Sequence, residues 1–148
     1  HYSDDLLSIQ VKRYKKKIKS TMSALHQTNV LTNKILKCFK SGDIYKLGKN
    51  LDLCWSLKKK INPYVTTPEI EILYKSLKKM GVLGGKVLGA GGGGFMLIIL
   101  PFYLKNKIIK IIKKKDMEIS DFNFEKTGLK IWKIKKNKLT KKSIKYFL

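Results

Sequence analysis

The chain has 148 residues, 43% of them hydrophobic, which is enough for one domain with a real core and too short for two ordinary ones. Lysine and arginine number 33 against 10 acidic residues, giving a formal net charge of +23, and Arg13 is the sole arginine. Two cysteines, Cys38 and Cys54, are too few for a disulfide framework and fit no zinc spacing, and the longest apolar run, Phe95 to Leu100, is too short to span a bilayer.

Spacings of three and four residues predict a helix over 4–18, with Leu6, Ile9, Arg13 and Lys17 on one stripe and Leu7, Val11, Tyr14 and Ile18 beside it. Ser20 or Thr21 can cap a second helix carrying Met22, Leu25, Leu31, Ile35, Leu36 and Phe39, which Ser41-Gly42 ends. Asp43 caps a third, with Ile44, Leu47, Leu51, Cys54 or Trp55, and Leu57 inward, and Asn62-Pro63 breaks it. Thr67-Pro68-Glu69 then combines a cap, a first-turn proline and an acid at the positive end of the dipole. Behind it, Ile70, Leu73, Tyr74 and Leu77 face inward until Gly81.

The pattern then changes. Lys86-Val87-Leu88 reads as a short strand, Gly89 to Gly94 as a loop, and Phe95 to Leu100 as a second strand. Leu104 to Lys114 has Ile108, Ile109, Ile111 and Ile112 on a helical face, Met117 to Phe124 alternates like a half-buried strand, and Leu129, Ile131 and Trp132 suggest a last one. The expectation is an α+β fold: about four helices, then a β-β-α-β-β antiparallel sheet layer, as one domain over 1–135 with a lysine-rich tail over 136–148.

The positive charge invites a nucleic-acid reading. With a single arginine, however, the residue preferred for reading bases and forking phosphates is nearly absent. The lysines are spread through every segment rather than clustered, so a solvated lysine-rich surface is favoured over a nucleic-acid site. No secretory signal opens the sequence, and a cytoplasmic protein is expected. The chain begins at His1 rather than Met, and a fragment of a longer chain is expected.

The richest chemistry lies in Gly84 to Phe95, read GGKVLGAGGGGF. Glycine bares the backbone, so amides can approach a phosphate without side-chain collision. A P-loop fails here, because Met80 stands where its first glycine belongs and Val87 where Ser or Thr should follow Lys86. Gly89, Gly91 and Gly94 match the dinucleotide fingerprint, but that fingerprint must open a helix and this loop opens an apolar strand. The remaining readings are a phosphate-facing loop and a tight turn under a close-packed neighbour.

This stretch resembles the third motif of the GHMP kinases, a strand, a Gly-Ala-Gly-x-Gly-Gly loop and another strand. Within that family it is most similar to the heptose-phosphate kinases, through Trp55-Ser56-Leu57-Lys58, Thr67-Pro68-Glu69-Ile70 and Gly84 to Phe95, with weaker similarity from about residue 3 to 133. The resemblance implies the C-terminal, ferredoxin-like domain of an enzyme that transfers the γ-phosphoryl group of ATP, with Mg2+, to a sugar hydroxyl. For the heptose branch this is the anomeric hydroxyl of D-glycero-D-manno-heptose 7-phosphate. The Gly/Ser-rich nucleotide loop and the catalytic Asp or Lys of the family belong to an N-terminal domain, and no such sequence occurs here. No catalytic residue and no metal ligand is therefore assigned in this chain, which alone should turn over nothing.

Site roles follow from the same resemblance. Gly89, Ala90, Gly91, Gly92, Gly93 and Gly94 would line the inter-domain cleft and offer amides to phosphate or sugar. Lys86 would support the phosphate region or point to solvent. Lys58, one turn from Trp55, would neutralise a substrate phosphate or be a solvated lysine in a three-lysine run. Trp55 reads as core and Thr67 as a helix cap. The partners implied are a sugar phosphate, ATP and the N-terminal domain, with no membrane. The alternatives are a lysine-rich nucleic-acid module, or a structural or regulatory domain without catalysis.

Overall fold

The computed structural model describes residues 2–115, 117–124 and 127–128. The elements run α1 (Tyr2–Lys15), α2 (Lys19–Ser41), α3 (Ile44–Ile61), a 3-10 turn (Pro63–Val65), α4 (Pro68–Lys79), β1 (Gly84–Val87), β2 (Met96–Ile99), a second 3-10 turn (Phe102–Leu104) and α5 (Lys105–Lys113). This is an α+β fold with a small antiparallel sheet, in register Gly84 opposite Ile99 through Val87 opposite Met96.

Local chemistry sets most helix ends. Gly42, in the left-handed conformation at φ 68°, closes α2. Asp43 caps α3 by accepting from the Lys46 amide at 2.9 Å. Thr67 caps α4 ahead of Pro68 by accepting from the Ile70 amide at 3.4 Å. The start of α2 departs from the sequence expectation. Ile18 occupies the cap position with no side-chain cap, while Thr21 is fully buried and accepts from Arg13 Nε at 3.2 Å. A buried hydroxyl has to find a partner, and here the neighbouring helix supplies it.

Helices α2 and α3 form an antiparallel pair. Ala24 and Leu31 meet Leu57 and Ile61 at one end, and Cys38 meets Leu47 and Leu51 at the other. The sheet lies between two helical layers, which explains why Met96 to Ile99 is apolar without alternation. Its pleat sends Leu97 and Ile99 toward the α2–α3 pair and Met96 and Ile98 toward α4 and α5, where Leu77, Val82, Leu104, Ile108 and Ile112 form the core. Leu57 and Leu77 are each 1% exposed, and burying such a side chain contributes roughly 2 kcal/mol. β1 begins two residues earlier than expected, at Gly84, because the bare backbone there lets α3 press onto the strand. A Cβ on Gly84 would collide with the carbonyl of Gly48.

The β-β-α part of the expected β-β-α-β-β layer is formed. The strand expected over 117–124 is not: the segment carries no ladder, and Met117, Ile119, Phe122 and Phe124 are exposed. Alternation marks a segment able to pair, but a strand exists only where an edge receives it, and among the described residues β1 and β2 pair with each other alone. The chain divides into two units, 1–118 and 119–148. In the second, the Phe122 and Phe124 rings meet edge to face with centroids 5.6 Å apart. The last expected strand, around Leu129 to Trp132, and the tail over 136–148 lie outside the described residues. No helix among the described residues is long and apolar enough to cross a membrane.

Candidate functional site

The loop joining β1 to β2 runs from Gly89 to Gly94. Its base is closed by the Leu88 amide donating to the Phe95 carbonyl at 2.8 Å. With Leu88, Phe95 and Ser3 of α1, it lines an open cavity of about 410 Å3. Two supports hold the loop from behind.

The first is the 3-10 turn between α3 and α4. The Gly92 amide donates to the Val65 carbonyl at 2.7 Å, and Gly91, at φ +109°, lies directly against Val65. Val65 is 1% exposed and shares a core cluster with Trp55, Tyr74 and Val87. That turn is itself anchored. The fully buried Asn62 donates through Nδ2 to the Leu6 carbonyl at 2.9 Å and accepts the Tyr64 amide at 3.0 Å. Beside it, Arg13 Nε donates to the Ile61 carbonyl at 2.8 Å, placing a cation at the negative end of α3.

The second support is Lys58. Its ammonium donates to the carbonyls of Gly89 at 2.6 Å and Val87 at 3.2 Å. Burial pushes its pKa below the ordinary lysine value, and the nearby Lys86 ammonium pushes the same way. The Lys86 side chain makes no hydrogen bond or ion pair with any described residue. Two cations thus stand at the foot of the loop, and neither is paired with a carboxylate among the described residues.

The loop amides divide accordingly. Gly92 has its partner in Val65, whereas the amides of Gly89, Ala90, Gly91, Gly93 and Gly94 make no hydrogen bond among the described residues. Unsatisfied amides beside an open cavity are suited to an anion with several oxygens. The carboxylates closest to this core are committed elsewhere. Asp52 accepts from the Tyr74 hydroxyl at 2.7 Å and pairs with Lys78 at 3.0 Å. Glu71 takes Lys59 at 2.9 Å and the Thr66 hydroxyl at 2.8 Å. Burial, and then the Asp52 carboxylate, hold the Tyr74 phenol well above its ordinary pKa.

No carboxylate lines the cavity, and no group of three or more His, Cys, Asp or Glu side chains converges among the described residues. The free amides of this loop are donors suited to an anion, and with no carboxylate beside them they do not make a Mg2+ site.

Of the residues singled out from sequence, Gly89 to Gly94 line the cavity, Lys58 reaches the loop from behind, and Lys86 stands near Lys58; neither lysine lines the cavity. Trp55 lies in the core, 1% exposed, with its indole N–H unpartnered and Lys59 5.4 Å from the ring centroid. Asn62 and Val65 shape the loop without having been singled out for it. Asn62-Pro63 signals only a break, and nothing in the sequence marks Val65.

The model of the GHMP kinases C terminal family matches residues 35–116. The chain is 32% identical over 114 residues to D-glycero-alpha-D-manno-heptose 7-phosphate kinase of Campylobacter jejuni, covering 77% of this chain and 34% of that protein. The chain thus spans about a third of the length of the curated relative it matches.

Proposed function

The chain belongs to the GHMP kinases, through their C-terminal domain, and from that membership we propose that it supplies the glycine-loop wall of a sugar-phosphate kinase. The observation that carries this reading is the set of amides on Gly89, Ala90, Gly91, Gly93 and Gly94, unpartnered among the described residues, in a loop held against Val65 and Lys58 and open to a cavity. Phosphoryl transfer through a loose transition state is mostly positioning and charge stabilisation. Amides fixed before the substrate arrives stabilise the developing charge without reorganising.

In the intact enzyme the γ-phosphoryl group of ATP passes to the anomeric hydroxyl of D-glycero-D-manno-heptose 7-phosphate. The 7-phosphate or the nucleotide phosphates lie against this loop, and Lys86 adds a positive field. Mg2+ accompanies ATP and is held by groups other than this loop. An N-terminal domain carries the remaining nucleotide site and the base that deprotonates the acceptor, and the reaction takes place in the cytoplasm.

The test is transfer of labelled phosphate from ATP by the intact protein, across a panel of hexose and heptose phosphates. Incorporation into heptose 7-phosphate above the other acceptors supports the proposal. ATP left unconsumed with every sugar would remove it.

A further inference from the structure

We propose that Lys58 is the positioning residue of the glycine loop and not a ligand for substrate phosphate, an inference that rests on reading that loop as substrate-facing. A lysine ammonium has three donors and no acceptor. Two of the three are directed at the backbone, at the carbonyls of Val87 and Gly89 on either side of Leu88. The contact to Gly89, at 2.6 Å, is short and charge-assisted. These are the last carbonyl of β1 and the first carbonyl of the loop, where the chain leaves the regular ladder and a backbone acceptor has to find another partner.

The consequence reaches the cavity through the peptide plane. In a trans peptide the carbonyl of one residue and the amide of the next point in opposite directions. Holding the Gly89 carbonyl on Lys58 therefore turns the Ala90 amide away from α3. Lys58 fixes the first free donors of the loop, and Val65 fixes its middle by taking the Gly92 amide at 2.7 Å. Both supports come from one stretch of chain, the end of α3 and the turn after it, so the loop is held at two points by a single piece of structure. With its ammonium so occupied, Lys58 has little to offer an incoming phosphate, and that task falls to the loop amides.

Two protected amides report the shape of the loop, Gly92 bonded to Val65 and Leu88 bonded to Phe95. Their exchange can be followed by NMR in the intact protein carrying this chain. Lys58→Met keeps the apolar stem and removes the donors, and it should speed exchange at Gly92 and Leu88 by about tenfold or more. Lys58→Arg, which restores N–H donors, should recover part of the protection. Lys86→Met removes the neighbouring charge without touching either carbonyl, and it should leave both amides at the wild-type rate.

Wild-type protection in Lys58→Met, or equal acceleration in Lys86→Met, would overturn the inference. Should Lys58→Met fail to fold, Lys58→Leu, a smaller side chain that also lacks a donor, answers the same question. Faster exchange at Gly92 supports the positioning role, and an unchanged rate sinks it. Exchange is read without turnover, so an intact protein that phosphorylates no sugar would remove the kinase reading while these rates still decide the role of Lys58.

Discussion

Val65 and Gly91 touch so closely that no side chain fits between them. A Cβ placed on Gly91 would lie 2.6 Å from the Val65 Cβ and 2.8 Å from its carbonyl oxygen, and Gly91 holds φ +109°, where L residues are strained. Gly91→Ala should therefore combine overpacking with backbone strain and cost about 2–4 kcal/mol. Gly89→Ala is the matched control. At φ +61° with nothing within 4 Å, it should cost only about 1 kcal/mol. Thermal unfolding of the two variants side by side checks the ordering, and equal losses would show that Val65 yields.

Asn62 ties the turn beneath the loop to α1. Its amide serves the Leu6 carbonyl and the Tyr64 amide from a fully buried position. Asn62→Ala strands both backbone groups, each buried unpaired group costing about 1–3 kcal/mol. Denaturant unfolding should report a loss of roughly 2 kcal/mol or more. Asn62→Asp keeps the acceptor for Tyr64 but loses the donor to Leu6, and should recover only part of it.

Tyr74 sets an alkaline limit to stability. Its phenol donates to Asp52, with the Gly85 carbonyl 3.2 Å away, and burial and the Asp52 carboxylate raise its pKa in the folded state above the ordinary tyrosine value of about 10. The unfolded chain therefore loses this proton first. The contribution is fully present below about pH 10 and fades as pH rises toward the folded-state value. Unfolding followed between pH 8 and pH 11 should steepen at the alkaline end. Tyr74→Phe should be less stable at neutral pH and should show a shallower alkaline decline.

Features decided within a few residues were legible in the sequence. Asp43 and Thr67 cap by reaching an amide three residues on, and Gly42 ends α2 by its own backbone, so composition and spacing suffice. The glycine loop was legible for the same reason, since six consecutive small residues between two apolar runs leave few alternatives. What holds that loop was not. The Lys58 partners lie 29 and 31 residues away, and the Arg13 partner on Ile61 lies 48 away, so these pairings appear only once the helices are packed. The same packing took Thr21 from a predicted cap to a buried acceptor. The segment 117–124 shows the limit from the other side, because alternation records which side chains share a face and not whether a neighbouring edge is there to receive them.

The most direct test of the central claim, that the loop from Gly89 to Gly94 faces the ligand, is an amide chemical-shift titration of the intact protein with D-glycero-D-manno-heptose 7-phosphate and with Mg-ATP. We predict saturable shifts concentrated at Gly89, Ala90, Gly91, Gly93 and Gly94, with Gly92 moving less because its amide remains on Val65. Saturable binding that moves amides elsewhere and leaves these unshifted would contradict the account.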